Sequence, residues 1–261
     1  MLYVLYFLIA IGATTVGSLT GMGGGVIIKP LMDMLQGFDV RTIGVISSIT
    51  VFSMAVVSIG KQMFSKTKIP FDMALPLGIG SVIGGLVGEW LLDVIVGALD
   101  ANELVTVVQN VVLSLLILGV YLYMRNKSRI KGKQLRGIVP SLLAGGFLGV
   151  CSSFLGIGGG PINVALIIYL FSYDTKTATI CSLVTILLAQ VSKLCSVAFT
   201  TGFAVYDLSI APVMVIGAVA GGFLGASLNK YFSEKAVEKA FNAVQLLVLA
   251  LAISNIVRNV M

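Results

Sequence analysis

The chain has 261 residues, of which 57% are hydrophobic and only 11% are charged. An average soluble domain carries about 25% charged residues, so this composition excludes a water-soluble globule. The net charge is +6, and six basic residues, from Arg125 to Arg136, lie in the single loop RNKSRIKGKQLR, which has no acid. Lys and Arg concentrate in short loops that remain in the cytoplasm. We therefore interpret this loop as a topological signal and not as a nucleic-acid patch.

Eight stretches without a charged residue follow one another along the chain. A helix needs about 20 mostly apolar residues to cross a bilayer, and the two shortest stretches continue past a single charge. We predict an all-α polytopic membrane protein with eight hydrophobic segments and no separate soluble domain. The stretches are residues 1–28, 42–60, 73–88, 104–124, 137–173, 177–192, 208–229 and 240–257.

Several classes of protein and site find no support in the sequence. The first stretch has no basic leader and no small-residue cleavage site, so we expect a retained segment and not a signal peptide. The three cysteines lack CxxC or CxxH spacing, which argues against a disulfide framework and a zinc site. Histidine, a P-loop and a nucleophile elbow are all missing. The patterns predict neither an enzyme nor an ATP-driven pump, and no metal or cofactor.

An internal repeat relates the two sides of the basic loop. An offset of 135 residues places GMGGG on GIGGG and RTIGVISSIT on KTATICSLVT, and an offset of 137 aligns GIGSVIGGLVG with VIGAVAGGFLG. Because independent matches share nearly one register, we predict a tandem duplication of a four-segment unit. The predicted division is membrane repeat 1 at 1–124, a basic cytoplasmic linker at 125–136 and membrane repeat 2 at 137–261.

Each repeat has a glycine-rich break in its first segment, at residues 21–25 and 156–160. Glycine is about 1 kcal/mol worse than Ala inside a helix, so we expect these runs to interrupt the helix within the membrane. Pro161 suits the first position of a new helix, whose free N–H groups and positive dipole end favour an anion. Breaks at corresponding places in two repeats indicate a transporter's binding site, and tight packing alone is the alternative.

Glycine also recurs at every fourth position in the third segment of each repeat. Such strips let a neighbouring backbone approach closely, and they can also line a groove for a substrate. We favour packing as their role. The two strips are Gly80, Gly84 and Gly88, and Gly217, Gly221 and Gly225.

Hydroxyl groups and one lysine inside the apolar stretches are further candidates for a site. Ser47 corresponds to Ser182 under the offset, and hydroxyls in such positions either donate to an oxyanion or bond back to their own helix. Lys193 lies deep in the sixth segment, where its ammonium group can attract an anion or extend to the interface.

The few carboxylates in or beside the apolar stretches have simpler expected roles. Asp72 and Asp207 begin equivalent stretches, and we expect both to cap helix N-termini instead of forming a catalytic pair. They also stay candidates for proton or sodium coupling. Glu89 precedes Trp90 near the end of the third segment, and we expect this pair to anchor the chain at the membrane interface.

Two topologies are open at this point. If all eight segments cross, the halves are parallel and the Lys and Arg tally, which leaves out Lys193 in both arrangements, is 10 inside against 6 outside. If each broken first segment folds back as a re-entrant hairpin, the halves are inverted and the tally is 13 inside against 3 outside. The inverted arrangement follows the positive-inside rule better, and we favour it.

The two broken segments, VGSLTGMGGGVIIKPLM and VCSSFLGIGGGPINVAL, are each followed by a Ser/Thr-bearing segment and an Asp-initiated segment with GG-x-x-G. This pattern resembles the TauE/SafE family of sulfite and organosulfonate exporters over nearly the whole chain. The resemblance implies a multi-pass secondary transporter of a small sulfur-containing anion in the cytoplasmic membrane of a bacterium. The alternatives are a carrier or channel for another small organic or inorganic anion, or a non-transporting membrane scaffold.

We expect the anion to bind between the two breaks, held by backbone N–H groups and supported by hydroxyls. Its partners would be the lipid bilayer and a coupling proton or sodium ion, without nucleic acid. The coupling candidates are Asp72 and Asp207. The substrate-binding candidates are Thr20, Gly23, Gly24, Gly25, Ser47, Ser153, Gly158, Gly159, Gly160, Ser182 and Lys193.

Overall fold

The computed structural model describes residues 2–35, 37–64, 69–99, 102–155, 157 and 160–260. Within these ranges the regular structure is entirely helical, as the composition predicts. One 3₁₀ turn, Phe203–Val205, precedes the ninth α-helix. The α-helices are α1 (Leu2–Thr20), α2 (Gly25–Leu35), α3 (Val40–Phe64), α4 (Phe71–Leu99), α5 (Asn102–Asn126), α6 (Ile138–Phe154), α7 (Pro161–Phe171), α8 (Thr175–Phe199), α9 (Ala211–Tyr231) and α10 (Glu234–Val260).

Helix length separates the elements that can cross a membrane from those that cannot. Among the described residues, seven helices are long and apolar enough to cross, namely α1, α3, α4, α5, α8, α9 and α10. The helices α2 and α7 have 11 residues each, which is a length of about 16 Å. They are too short for a hydrocarbon core of about 30 Å.

The first glycine break turns α1 and α2 into a helical hairpin. A Cβ built on Gly24 would lie 2.8 Å from Cγ2 of Thr14, so the chain folds back against α1 directly after the break. Beyond the end of α2, the ring of Phe38 packs edge-on against the ring of Tyr6, with 6.2 Å between centroids. The chain therefore returns to the end of the bundle from which α1 started.

The second break produces the same course in α6 and α7. The backbone N–H of Lys133, just before α6, donates to the carbonyl of Tyr169 over 2.8 Å. The N–H of Leu135 donates to the carbonyl of Leu170 over 2.7 Å. These bonds join the end of α7 to the start of α6, so this hairpin also begins and ends on one side.

Two further contacts fix which helix ends lie together. Lys127, in the basic loop, donates to Oγ1 of Thr175 over 3.1 Å and forms an ion pair with Glu238. The helices α8 and α10 therefore begin at the end that holds this loop, which we call the linker end. Arg258 donates to the carbonyl of Met34 over 2.6 Å, so α10 finishes beside the end of α2, at the opposite end, which we call the far end.

The helix ends are arranged as the inverted topology requires, because the first half starts at the far end and the second half starts at the linker end. Three helices that are long and apolar enough to cross a membrane follow each hairpin. The inverted topology stays a prediction. The duplication itself stays a prediction, although the helix bounds agree with it. The offset of 135 residues carries α3 onto α8, both 25 residues long, while α5 continues two residues past the predicted boundary at 124.

The two halves exchange packing partners along the glycine strips. The strip on α4 lies against α6, where a Cβ on Gly84 would be 1.9 Å from the carbonyl oxygen of Gly146. The strip on α9 lies against α1, where a Cβ on Gly221 would be 2.6 Å from the carbonyl oxygen of Ile11. Such contacts leave no space for a side chain. The prediction that the strips are packing faces is confirmed.

Candidate functional site

The tip of the first hairpin is built from glycines that adopt conformations closed to most residues. Residues 21–24 are non-helical, and Gly21 and Gly23 have φ values of 75° and 74°. A side chain is strained in this left-handed region, whereas glycine enters it freely. The break therefore ends α1 and allows α2 to begin at Gly25, as the sequence predicts.

The second tip follows the same plan where the structure describes it. Pro161 is the first residue of α7, the position expected for it, and Gly160 caps the helix without a side-chain hydrogen bond. The predicted site residues Gly158 and Gly159 lie outside the described residues. The first N–H groups of α7, like those of α2, therefore belong to a tip and carry the positive end of a helix dipole.

The two tips meet in the buried part of the bundle. A Cβ built on Gly25 would lie 1.9 Å from the carbonyl oxygen of Ile157, so the start of α2 touches the second break directly. Gly23 and Gly24, like Gly25 and Gly160, are buried. The structure thus brings together the described parts of both breaks, which lie more than 130 residues apart in the sequence.

Hydroxyl groups of α8 hold the first tip in place. Ser182 donates to the carbonyl oxygen of Gly21 over 2.6 Å. The hydroxyl of Thr179 lies 3.2 Å from the carbonyl oxygen of Thr20 and 2.8 Å from that of Thr175 in its own helix, so its proton is shared between the two. The hydroxyl of Thr20 itself donates back to Val16 over 2.8 Å. Ser182 and Thr20 are therefore close to the tips, but their protons are used by the backbone.

Ser47 has a different environment. Its side chain is fully buried and its Oγ has no hydrogen-bond partner among the described residues. The same Oγ lies 3.0 Å from the position of a Cβ on Gly25, at the start of α2. Leaving a buried hydroxyl unsatisfied costs about 1–3 kcal/mol, so this atom is suited to a ligand at the tips.

Ser153 and Lys193 are placed less centrally than the sequence predicts. Ser153 is buried next to Gly85, whose Cβ position is 3.3 Å from the serine Oγ. Lys193 is also buried, and its Nζ lies 3.3 Å from the Cβ position of Gly44 in α3. Lys193 lines a cavity of about 290 Å³ that we call the far cavity, because it reaches Arg41 in the first turn of α3 at the far end.

Two charged groups around the far cavity have partners or positions that the sequence did not indicate. Lys29, directly after the first break, forms a buried ion pair with Asp33 over 2.9 Å.

Trp90 is 64% exposed, as expected of an interfacial residue. Glu89 lines the far cavity with one buried carboxylate oxygen unpartnered among the described residues. The expectation that Glu89 is an interfacial anchor is therefore wrong, because its side chain faces α8.

The two aspartates proposed as caps are both exposed. Asp72 is the second residue of α4, so the prediction that it is the N-cap is wrong, although a negative charge in the first turn suits the helix dipole. The prediction that Asp207 caps α9 is wrong, because Ile210 occupies the cap and Asp207 accepts from the N–H of Ser209 over 3.0 Å in the preceding turn. This hydrogen bonding lowers the pKa of Asp207.

A helical membrane bundle with two broken hairpins, whose tips meet in its buried centre, has the architecture of a secondary membrane transporter. The chain matches the family described as "Sulfite exporter TauE/SafE" over residues 6–253, and it belongs to that family.

A relative in Bacillus subtilis (strain 168) is described as "Probable membrane transporter protein YunE". The two chains are 26% identical over an alignment of 277 positions, and the alignment covers 95% of this chain and 96% of the relative. No solved structure matches the chain at a significant level. Family, relative and crossing helices together identify a multi-pass membrane transporter.

Proposed function

We propose that the protein is a secondary exporter of a small sulfur-containing oxyanion, sulfite or a short organosulfonate, which binds between the two hairpin tips. The observation that carries this proposal is the contact of both tips beside the hydroxyl of Ser47, which has no hydrogen-bond partner in the described part of the chain. Each helix N-terminus is equivalent to about half a positive charge, so two of them offset much of a monoanion's charge. Backbone N–H groups and hydroxyls then hold its oxygens.

This kind of ligation suits a carrier because it is weak and distributed. The N–H groups of Gly24 and Gly25 and of Gly158 to Gly160 are the proposed donors, and Ser47 adds a hydroxyl. The N–H of Gly23, also a candidate from the sequence, donates to the carbonyl of Gly17 over 3.4 Å. No donor in this set distinguishes sulfite from other small oxyanions by charge alone. A carrier for another small anion is therefore the second candidate, and the choice rests on the fit at the tips.

The source of energy follows from the absence of any nucleotide-binding motif in the sequence. Transport runs down the substrate gradient or is coupled to a proton or sodium gradient. The linker end faces the cytoplasm in this proposal, because short loops rich in Lys and Arg remain inside. Export then moves the anion from the linker end to the far end. Asp72 and Asp207 remain the coupling candidates from the sequence.

The test is flux through the purified protein in liposomes. Sulfite, sulfate, methanesulfonate and taurine are offered one at a time, with and without imposed proton and sodium gradients. We expect flux of sulfite or a sulfonate above that of empty liposomes, with no requirement for ATP. Absence of flux for every oxyanion, or flux only when ATP is supplied, contradicts the proposal.

A further inference from the structure

A cavity separate from the hairpin tips opens at the linker end, between α3, α8 and α9. Its volume is about 170 Å³, and Lys61, Lys176 and Lys230 line it. We call it the lysine cavity. No carboxylate is among its described lining residues, so the three ammonium groups give it a formal charge of +3.

None of these three lysines belongs to an ion pair in the described part of the chain. The ion pairs there join Lys29 to Asp33, Arg41 to Asp93 and Lys127 to Glu238. Lys61 instead stands over the ring of Phe223, with its Nζ 3.5 Å from the centroid. A ring face contributes attraction but no negative charge, so the cavity keeps its positive potential.

The cavity also has a hydrogen-bond donor without a partner, and a direct connection to the first hairpin. Gln62 is 5% exposed, and its Nε2 has no partner among the described residues. Asn229 donates to the carbonyl oxygen of Leu19, one residue before the end of α1, over 2.7 Å. An anion in the cavity therefore meets a short-range donor next to the hairpin that carries the first tip.

The far cavity is the counterpart of the lysine cavity under the repeat offsets. An offset of 135 residues carries Lys61 to Ser196, and an offset of 137 carries Asn229 to Leu92. Both of these counterparts line the far cavity, and so do the counterparts of every other lining residue of the lysine cavity. The two cavities are equivalent positions at opposite ends of one bundle.

Charge is where the two cavities differ. Lys176 and Lys230 correspond to Arg41 and Asp93, and the latter two form an ion pair over 3.1 Å in the far cavity. Glu89 adds a second carboxylate to the far cavity, where Lys29 and Lys193 are the other charged lining residues. The side chains at these two corresponding positions therefore attract each other at the far end, whereas the two lysines repel each other at the linker end. Two cations that line one cavity, with no ion pair among the described residues, are stabilised by an anion between them.

We propose that the lysine cavity is a second oxyanion-binding site, which collects the transported anion at the linker end before it reaches the hairpin tips. This inference rests on the proposed function. A positive, partly enclosed cavity raises the local concentration of an anionic substrate and its rate of association. The gradient still sets the direction of net transport. Because of the cavity, transport saturates at a lower substrate concentration when the substrate is offered from the linker end than when it is offered from the far end.

The test uses proteoliposomes of phosphatidylcholine, in which the orientation of the protein is measured by protease access to the basic loop. The KM for sulfite is measured from each side for the wild type and for Lys176→Gln combined with Lys230→Gln. We expect KM from the linker side to rise about tenfold at low salt, in the range of electrostatic steering. The effect on KM from the far side is smaller, and high salt reduces the difference between the variants.

A charge reversal provides a second variant with a known structural precedent. Lys230→Asp leaves Lys176 with a carboxylate partner, as Arg41 has in Asp93 at the far end. We expect it to fold and to raise the linker-side KM as the double variant does. The control is Lys235→Gln combined with Lys239→Gln, since both lysines are exposed on α10 and neither lines the cavity.

The outcomes separate this inference from the proposed function. If the wild type moves no oxyanion, the proposed function fails. If the wild type transports sulfite and neither cavity variant changes KM, the lysine cavity is not a collecting site. If the lysine substitutions matter only when phosphatidylglycerol is added to the vesicles, the cavity holds a lipid phosphate and the inference is overturned. A raised KM in phosphatidylcholine, with the control unchanged, supports it.

Discussion

Ser47 and Ser182 occupy corresponding positions in α3 and α8, yet their hydroxyls have different surroundings. Ser182 donates to the carbonyl oxygen of Gly21 and so stabilises the first tip. Ser47 is equally buried, faces the start of α2 and has no partner among the described residues. The difference indicates that one member of the pair supports the backbone, whereas the other is left for a ligand. Each prediction below tests this division of roles.

The largest expected effect comes from placing a side chain in the tips themselves. Gly25→Val puts a Cβ within 1.9 Å of the carbonyl oxygen of Ile157, and Gly159→Val blocks close approach of an anion to the second break. We expect both to abolish flux in proteoliposomes. Gly119→Val is the control, because a Cβ there has nothing within 4 Å. Normal expression and flux for both tip variants would make the glycines packing elements only.

Ser47→Ala is expected to change affinity without loss of stability. It removes a hydroxyl that has no partner among the described residues, so unfolding in detergent should occur at the same or a slightly higher temperature. A hydrogen bond to a charged ligand contributes about 1.5–3 kcal/mol, so KM should rise about tenfold or more. Ser48→Ala is the matched control, since its hydroxyl donates to the carbonyl of Gly44. An unchanged KM would remove Ser47 from the site.

Ser182→Ala is expected to give the opposite pattern. It leaves the buried carbonyl of Gly21 without its donor, which should lower the free energy of unfolding by about 1–3 kcal/mol. Flux should fall only modestly, because the substrate keeps the N–H groups of the tips. Thermal unfolding and flux measured on one preparation check both parts. A variant of normal stability with a strongly raised KM would mean that the two serines exchange roles.

The smallest expected effect on transport comes from a test of which end of the bundle faces the cytoplasm. The comparison of the two ends depends on this orientation. Single cysteines replace Lys235 at the linker end and Arg258 at the far end, after Cys151, Cys181 and Cys195 are removed. We expect membrane-impermeant reagents to label position 235 from the cytoplasm and position 258 from outside, with flux of Lys235→Cys unchanged. Labelling of position 235 only from outside, and of position 258 from the cytoplasm, is the result that the parallel arrangement requires and would eliminate the inverted one.

Local chemistry explains why much of the fold was predictable from the sequence. The glycine runs and Pro161 determine where α1 ends and where α7 begins, and both features act within one turn of helix. The glycine strips likewise predict close packing, whichever helix supplies the neighbour. Residue patterns of this kind need no knowledge of the tertiary structure.

The parts that sequence reasoning missed depend on contacts across the chain. The hydrogen bond from Ser182 to Gly21 joins residues 161 positions apart, so the sequence around Ser182 does not reveal it. Glu89 faces a cavity instead of the interface because α8 lies beside it, and the run of apolar residues around it gives no sign of that. Asp207 fails as a cap because a turn separates it from α9, and the apolar stretch alone does not reveal the turn.

The exchange of packing partners along the glycine strips has a consequence for how the protein is made. Because α1 lies on α9 and α4 lies on α6, the first four segments leave the ribosome before their final neighbours exist. During that interval the glycine strip of α4 and the face of α1 that α9 later covers lack these protein neighbours, and the first hairpin has no α8 to hold its tip. The nascent first half thus lacks part of its helix packing, and this packing is completed only when the second half has been inserted beside it.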